Sequence, residues 1–126
     1  MSNYRFDHIH LRSPDPLKTA QFYETMFSAK RVEIQPRYGS VSIRLDLNGQ
    51  LVIISPPPPV ENSRLAQYGL NHFGLITDNL EKVVDDLKDK GVTFLMDVTP
   101  LSSTTKVSFL LAPENVLVEI LSSSKS

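Results

Sequence analysis

The sequence predicts an α+β fold built from two copies of one βαβββ module. Three observations predict it. The order strand, helix, three strands is written twice along the 126 residues, with the second copy beginning about 64 residues after the first. Alternation marks the first strand and extended runs mark the others, whereas helical periodicity marks one segment in each copy. The connections carry turn chemistry, namely Pro14-Asp15-Pro16, Asn48-Gly49, Pro56 to Pro59 and Gly91.

Tyr4 to Arg12 alternates, with Phe6, His8, His10 and Arg12 on one face and Asp7, Ile9 and Leu11 on the other. Pro14-Asp15-Pro16 stops this strand. Asp15 is placed to cap the following helix, and Pro16 suits its first turn. Leu17, Ala20, Tyr23 and Phe27 then recur at helical spacing. Val32 to Gln35 and Ser40 to Leu47 read as extended. Asn48-Gly49 is a two-residue hairpin turn, because both positions tolerate positive φ, and Gln50 to Ser55 completes the hairpin. Pro56 to Pro59 cannot pair within a central strand and reads as a stiff connector.

The pattern then restarts. Gly69 to Thr77 is extended and holds His72. Asp78 is expected to cap a second helix, with Glu81 completing a capping box. Leu80, Val83, Val84 and Leu87 line one face of that helix, and Gly91 ends it. Val92 to Val98, Thr105 to Leu111 and Val116 to Leu121 are three further extended runs, and residues 122–126 are expected to fray. The expected organisation is one domain over residues 1–126. Its first module covers about 4–55, a linker 56–68, and the second module about 69–121. Each half alone would leave one sheet face uncovered, so the halves are expected to pair.

Composition narrows the function. Hydrophobic residues at 40% and charged residues at 21% are those of a globular chain long enough for a core. The absence of cysteine excludes disulfides, thiolate metal sites and cysteine nucleophiles. A net charge of -1 argues against a nucleic-acid binder, and nothing clusters Lys and Arg for a membrane surface. No apolar run approaches the roughly 20 residues of a membrane span. The N-terminal stretch lacks an apolar signal region, so a cytoplasmic location is expected. The sheet edges of a small duplicated fold make a homodimer the expected assembly.

The two copies share local motifs. Asp7-His8-Ile-His-Leu-Arg-Ser-Pro-Asp15 runs towards Phe22-Tyr23, Asn71-His72-Phe-Gly-Leu opens the second copy, and Ala112-Pro-Glu-Asn-Val-Leu-Val-Glu119-Ile-Leu closes it. On these motifs the chain, from about Tyr4 to Leu121, resembles the vicinal oxygen chelate superfamily. That is the glyoxalase, bleomycin-resistance and dioxygenase family. In the last motif Ala112 stands where the family usually has Asp. Asn115 stands at a Gly position, where Asn also reaches the left-handed conformation. The resemblance implies that the paired modules form a curved mixed sheet around a metal pocket. It places His8 and His72 on the opening-strand ligand positions and Glu119 on the closing strand of the second module. The fourth ligand position falls on Ile53, which cannot bind a metal.

Two imidazoles and one carboxylate suit a single divalent cation, Fe, Mn, Ni, Co or Zn, with positions open for a small substrate chelating through two adjacent oxygens. Taken singly, each of these residues reads as an ordinary strand residue; the three together make the site. His10, two residues from His8 on the same face, is a candidate acid/base, or else a histidine bonded inside the fold. Arg12 on that face matches an Arg that contacts glutathione in glyoxalase I enzymes. As a substrate-binding residue it would grip a carboxylate bidentately; otherwise it is an exposed Arg beside an acid. Lys106, Arg37 and Tyr38 are candidates for the pocket mouth, and Phe6, Phe22, Tyr23 and Phe109 for core or pocket wall.

The expected activity is that of a divalent-metal-dependent glyoxalase-family enzyme of lyase or isomerase type, with Glu119 as ligand and base. The alternatives are an extradiol-type dioxygenase or a fosfomycin-type thiol transferase using the same triad, and a metal-free protein that binds a small molecule or antibiotic.

Overall fold

A computed structural model describes residues 3–61 and 63–124. The elements are β1 (Tyr4–Arg12), α1 (Pro16–Phe27), β2 (Lys30–Arg37), β3 (Ser40–Leu47), β4 (Gln50–Ser55), β5 (Gly69–Thr77), α2 (Leu80–Asp89), β6 (Thr93–Pro100), β7 (Thr105–Ala112) and β8 (Val116–Ser123). Short 3-10 turns lie at Arg64–Ala66 and Pro113–Asn115. The class is α+β, and strand, helix, three strands does occur twice. The chain divides into two compact units, His8–Asn71 and Met1–Asp7 with His72–Ser126.

In the unit His8–Asn71 the strands lie in the order β2-β3-β4-β1. β2, β3 and β4 pair antiparallel, while β1 pairs parallel with β4. The parallel return requires a crossover, and α1 supplies it. Asp15 caps α1 by accepting from Lys18 N at 3.2 Å, and Pro16 occupies its first turn. Ser28 ends it in the left-handed conformation, φ 61, with Ala29 N donating to Tyr23 O at 3.2 Å. Asn48 and Gly49 take φ of 52 and 96, the two positive values their turn demands.

The register of β1 on β4 separates two chemistries. Ile9 opposes Val52 and Leu11 opposes Ile54, and these aliphatic residues pack into a core with Ala20, Ile43 and Leu45. His10 opposes Ile53 and Arg12 opposes Ser55, on the other face. The buried stripe of α1 is narrower than expected, because Leu17 and Phe27 are exposed while Pro16 and Ala20 are buried. Small Ala20 is fully buried against the sheet, which leaves the larger residues at the flanks outside. Phe22 is likewise exposed and is not core.

In the other unit the order is β5-β8-β7-β6, with β5 and β8 parallel and the remaining pairs antiparallel. The sheet of each unit is therefore mixed. Leu80, Val83 and Val84 of α2 are buried with Ile120, and Leu87 packs against them. Two expectations fail at the start of α2. Asn79, not Asp78, is the cap, accepting from Lys82 N at 3.4 Å. Asp78 lies 3.5 Å from Arg5 Nη2 instead, and the carboxylate of Glu81 pairs with Lys106 rather than turning back to the cap. Either short polar residue can cap; starting the helix at Leu80 buries that side chain in its first turn. Gly91, φ 90, follows the end of α2. β8 runs to Ser123 and Ser124 N donates to Thr104 O at 2.8 Å, so fraying does not begin at Ser122; residues 125 and 126 lie outside the described residues. No helix among the described residues is long and apolar enough to cross a membrane.

Candidate metal centre

The unit containing β5 and β8 brings two of the sequence-derived ligands together. His72 lies on β5 and Glu119 on β8. Gly74 opposes Glu119 across the parallel pair, so the bare glycine puts no side chain between the imidazole and the carboxylate. Both residues are buried, and His72 Nε2 lies 3.3 Å from Glu119 Oε1. That gap is wider than the roughly 2.8 Å of a charge-assisted N–H···O bond. Phe109 opposes Glu119 on β7 and sets its ring edge-on to His72, with centroids 5.0 Å apart and planes at 89°. Phe109 is buried against His72, which fits its reading as core or pocket wall. Phe6, in contrast, is exposed and stacks on Phe73 at 5.8 Å.

The unit containing β1 and β4 holds the other candidates. His8 is buried, and its ring centroid lies 5.9 Å from that of His10. His10 Nε2 is 2.6 Å from Ser55 Oγ and 3.1 Å from Arg12 Nη1. Arg12 is buried, at 7% exposure, which overturns the reading of it as an exposed Arg. Its Nη1 donates to Ser55 Oγ at 2.7 Å and its Nε to Leu65 O at 2.9 Å. Burying a guanidinium requires that its donors be used, and the Ser55 hydroxyl and the Leu65 carbonyl use two of them.

Sequence reasoning missed Ser55 and Asn71 as structural parts of this site. Asn71 is fully buried, and its Nδ2 donates to the carbonyls of Arg64, Leu65 and Gln67 at 3.1, 3.0 and 3.0 Å. It fixes the turn whose Leu65 carbonyl receives Arg12. The available signal was a polar residue at the end of an aliphatic strand (Ser55) and an amide beside the second histidine (Asn71).

Ile53 is buried and opposes His10 on one side and Arg44 on the other. Neither register neighbour is a carboxylate. The suggested mouth residues are engaged elsewhere. Lys106 pairs with Glu81, and Arg37 lies over the Tyr38 ring at 4.9 Å, all of them exposed. The Lys106 ammonium holds the Glu81 carboxyl below its ordinary range, and that of Lys88 does the same for Asp97.

Two strand-helix-three-strand modules, each carrying a histidine on its opening strand, define a class of protein. The family model of the Glyoxalase/Bleomycin resistance protein/Dioxygenase superfamily matches residues 5–120, and the chain belongs to that family. Among curated proteins the chain is similar to the uncharacterized protein YwkD of Bacillus subtilis (strain 168). The two are 29% identical over 119 residues, covering 90% of this chain and 92% of that one. Among solved structures it is similar to the hypothetical protein BH1468 of Bacillus halodurans C-125. There the TM-score is 0.80 at 20% identity, covering 98% of this chain and 97% of that one. It is also similar to a methylmalonyl-CoA epimerase of Streptomyces coelicolor, in complex with 2-nitronate-propionyl-CoA. That TM-score is 0.71 at 23% identity, with 95% and 97% covered.

Proposed function

We propose that the chain is a metal-dependent enzyme of isomerase or lyase type, in which His8, His72 and Glu119 hold one divalent cation and a small substrate is bound through two adjacent oxygens. The observation that carries the reading is the buried meeting of His72 and Glu119, with Nε2 and Oε1 3.3 Å apart. Two electron-pair donors side by side in an apolar wall suit a shared cation better than they suit solvent. Imidazole and carboxylate donors fit Fe, Mn, Ni, Co or Zn. By donor type His8, His10 and His72 form a second possible set. When bound, the cation supplies Lewis-acid polarisation of the chelated oxygens.

The chain's own residues do the rest. With Ile53 at the fourth position, no acid there can move a proton. Glu119 has two carboxylate oxygens, one towards His72, and is assigned the transfer of a proton at a carbon next to the chelated oxygen. Phe109 walls the imidazole and excludes water from one side. Arg12 is the candidate to fix an anionic part of the substrate, and His10 a candidate acid/base. The epimerase relative supports proton transfer next to a thioester carbonyl as the substrate class to try first.

The test is metal analysis followed by solvent deuterium exchange. Protein reconstituted with Co(II), Zn(II), Mn(II) or Ni(II) should retain one cation per chain and wash deuterium into acyl-thioesters or hemithioacetals of 2-oxoaldehydes. His72→Ala should lose both properties. A protein that takes up no cation, yet binds small ligands, would instead be a metal-free binder of the same family.

A further inference from the structure

We propose that the sheet face carrying His10 in the first module includes a subsite for a substrate oxyanion, a carboxylate or a phosphate, gripped by Arg44 with Glu33 as its internal competitor. The placement of these residues is independent of any metal; that the bound anion belongs to a substrate rests on the function proposed above.

The register lays four residues in one row across the strands. His10 opposes Ile53, Ile53 opposes Arg44, and Arg44 opposes Glu33. The other face is the core side, where Ile43, Leu45, Val52 and Ile54 pack with Ala20 of α1. Arg44 therefore stands on the open face. At strand spacings of about 4.8 Å it lies roughly 10 Å from His10, backbone to backbone, which is the length of a small molecule. A β-bulge between Arg31 and Glu33 decides what faces it. Without the extra residue Val32 would oppose Arg44, and aliphatic Ile34 would follow on the same face. With it, Glu33 and Gln35 turn to the His10 side instead. Bulges at sheet edges and beside active sites re-aim side chains in this way.

Arg44 is held loosely. Its Nε lies 3.4 Å from Glu33 Oε1, beyond the roughly 2.8 Å of a charge-assisted bond, and the two side chains are 43% and 47% exposed. Ion pairs so exposed contribute little, so a ligand oxyanion can replace Glu33 at small cost. Arg12 differs, being buried and bonded to Ser55 Oγ and Leu65 O. The nearby acid Asp46 is turned to the hairpin, where its Oδ1 accepts from Gly49 N at 2.7 Å. Ser42 and Gln35, opposed in the next row, add a hydroxyl and an amide to the same face. A planar guanidinium with five donors suits the paired oxygens of a carboxylate or phosphate.

The test records arginine side-chain proton–nitrogen spectra of the metal-free chain. Sodium succinate or inorganic phosphate is titrated in, against sodium chloride of equal ionic strength. The Arg44 Nε signal, identified by its absence from Arg44→Gln, should shift and saturate, and the tighter anion names the oxyanion. Arg44→Gln, followed at the Ser42 amide, should weaken that binding about tenfold, the scale of one charged hydrogen bond. Glu33→Gln should tighten it, a gain that misfolding does not produce. In the deuterium-exchange assay the parent should prefer a carboxylate-tailed acyl-thioester to its methyl ester, and Arg44→Gln should lose that preference. No saturable shift, or an Arg44→Gln variant that binds as the parent does, overturns the subsite. Saturable anion binding in a chain that exchanges no deuterium supports the subsite and refutes the reaction.

Discussion

Ile53 sits, buried, on the same sheet face as His10 and Arg12, and in the proposed ligand set it occupies the place where the family resemblance implies a fourth ligand. A carboxylate there would be costly on its own and useful beside a cation. Ile53→Glu should destabilise the metal-free protein by about 3 kcal/mol in urea unfolding, the scale of a buried group without a partner. Saturating Zn(II) should restore a large part of that loss; no restoration would place Ile53 away from the metal. Removing a ligand acts in the opposite sense. Glu119→Gln should weaken Co(II) binding, followed by its visible absorption, by more than about 100-fold, beyond what losing an outer hydrogen-bond partner costs. At this scale legibility depends on sequence distance. His8 was singled out by the family resemblance, and His10 because one strand's alternation puts it on the same face. Ser55 was not, because it lies 43 residues from Arg12, and only the β1–β4 register brings the two together.

The helices show how local rules succeed and where they stop. Asp15 caps α1 as its sequence context demands, with Pro16 behind it leaving little choice of start. At α2 two adjacent short polar residues compete, and the burial of Leu80 settles the choice for Asn79. Asn79→Ala should therefore cost about 1 kcal/mol by thermal or urea unfolding. Asp78→Ala should stay within about 0.5 kcal/mol, since its neighbour Arg5 is an exposed partner. The reverse ranking would restore the sequence-based assignment. The strand–helix ties Lys106–Glu81 and Lys88–Asp97 carry a pH dependence. Both carboxyls titrate below their ordinary values because an ammonium bonds the charged form. Their contribution is present above the unfolded-state values and disappears as pH falls through the lowered folded values. Acid unfolding curves of Glu81→Gln and Asp97→Asn should thus converge with the parent curve at the acid end and fall below it at neutral pH. High salt should shrink the gap because both pairs are exposed.

For the whole molecule, the duplicated order of strands and helices was legible because each strand or turn announces itself within a few residues. Asn48-Gly49 and Gly91 take the positive φ values their positions require. Asn115, standing at the family's Gly position, takes φ 62 beside Glu114 at 63. What the periodicity did not contain is which side chains are drawn under cover at a distance: buried Arg12 was readable as surface, and exposed Phe22 as core. The proposed ligand set came from the family resemblance, not from periodicity: His8 and His72 stand at matching places of the two modules, Glu119 answers to Ile53, and His72 Nε2 and Glu119 Oε1 lie 3.3 Å apart. The most direct test is equilibrium dialysis of the purified chain against Zn(II), followed by metal analysis. One tightly held cation per chain, lost in His8→Ala, His72→Ala and Glu119→Gln alike while each variant keeps its fold, is the predicted result. A chain that holds none, or variants that hold as much as the parent, would contradict it.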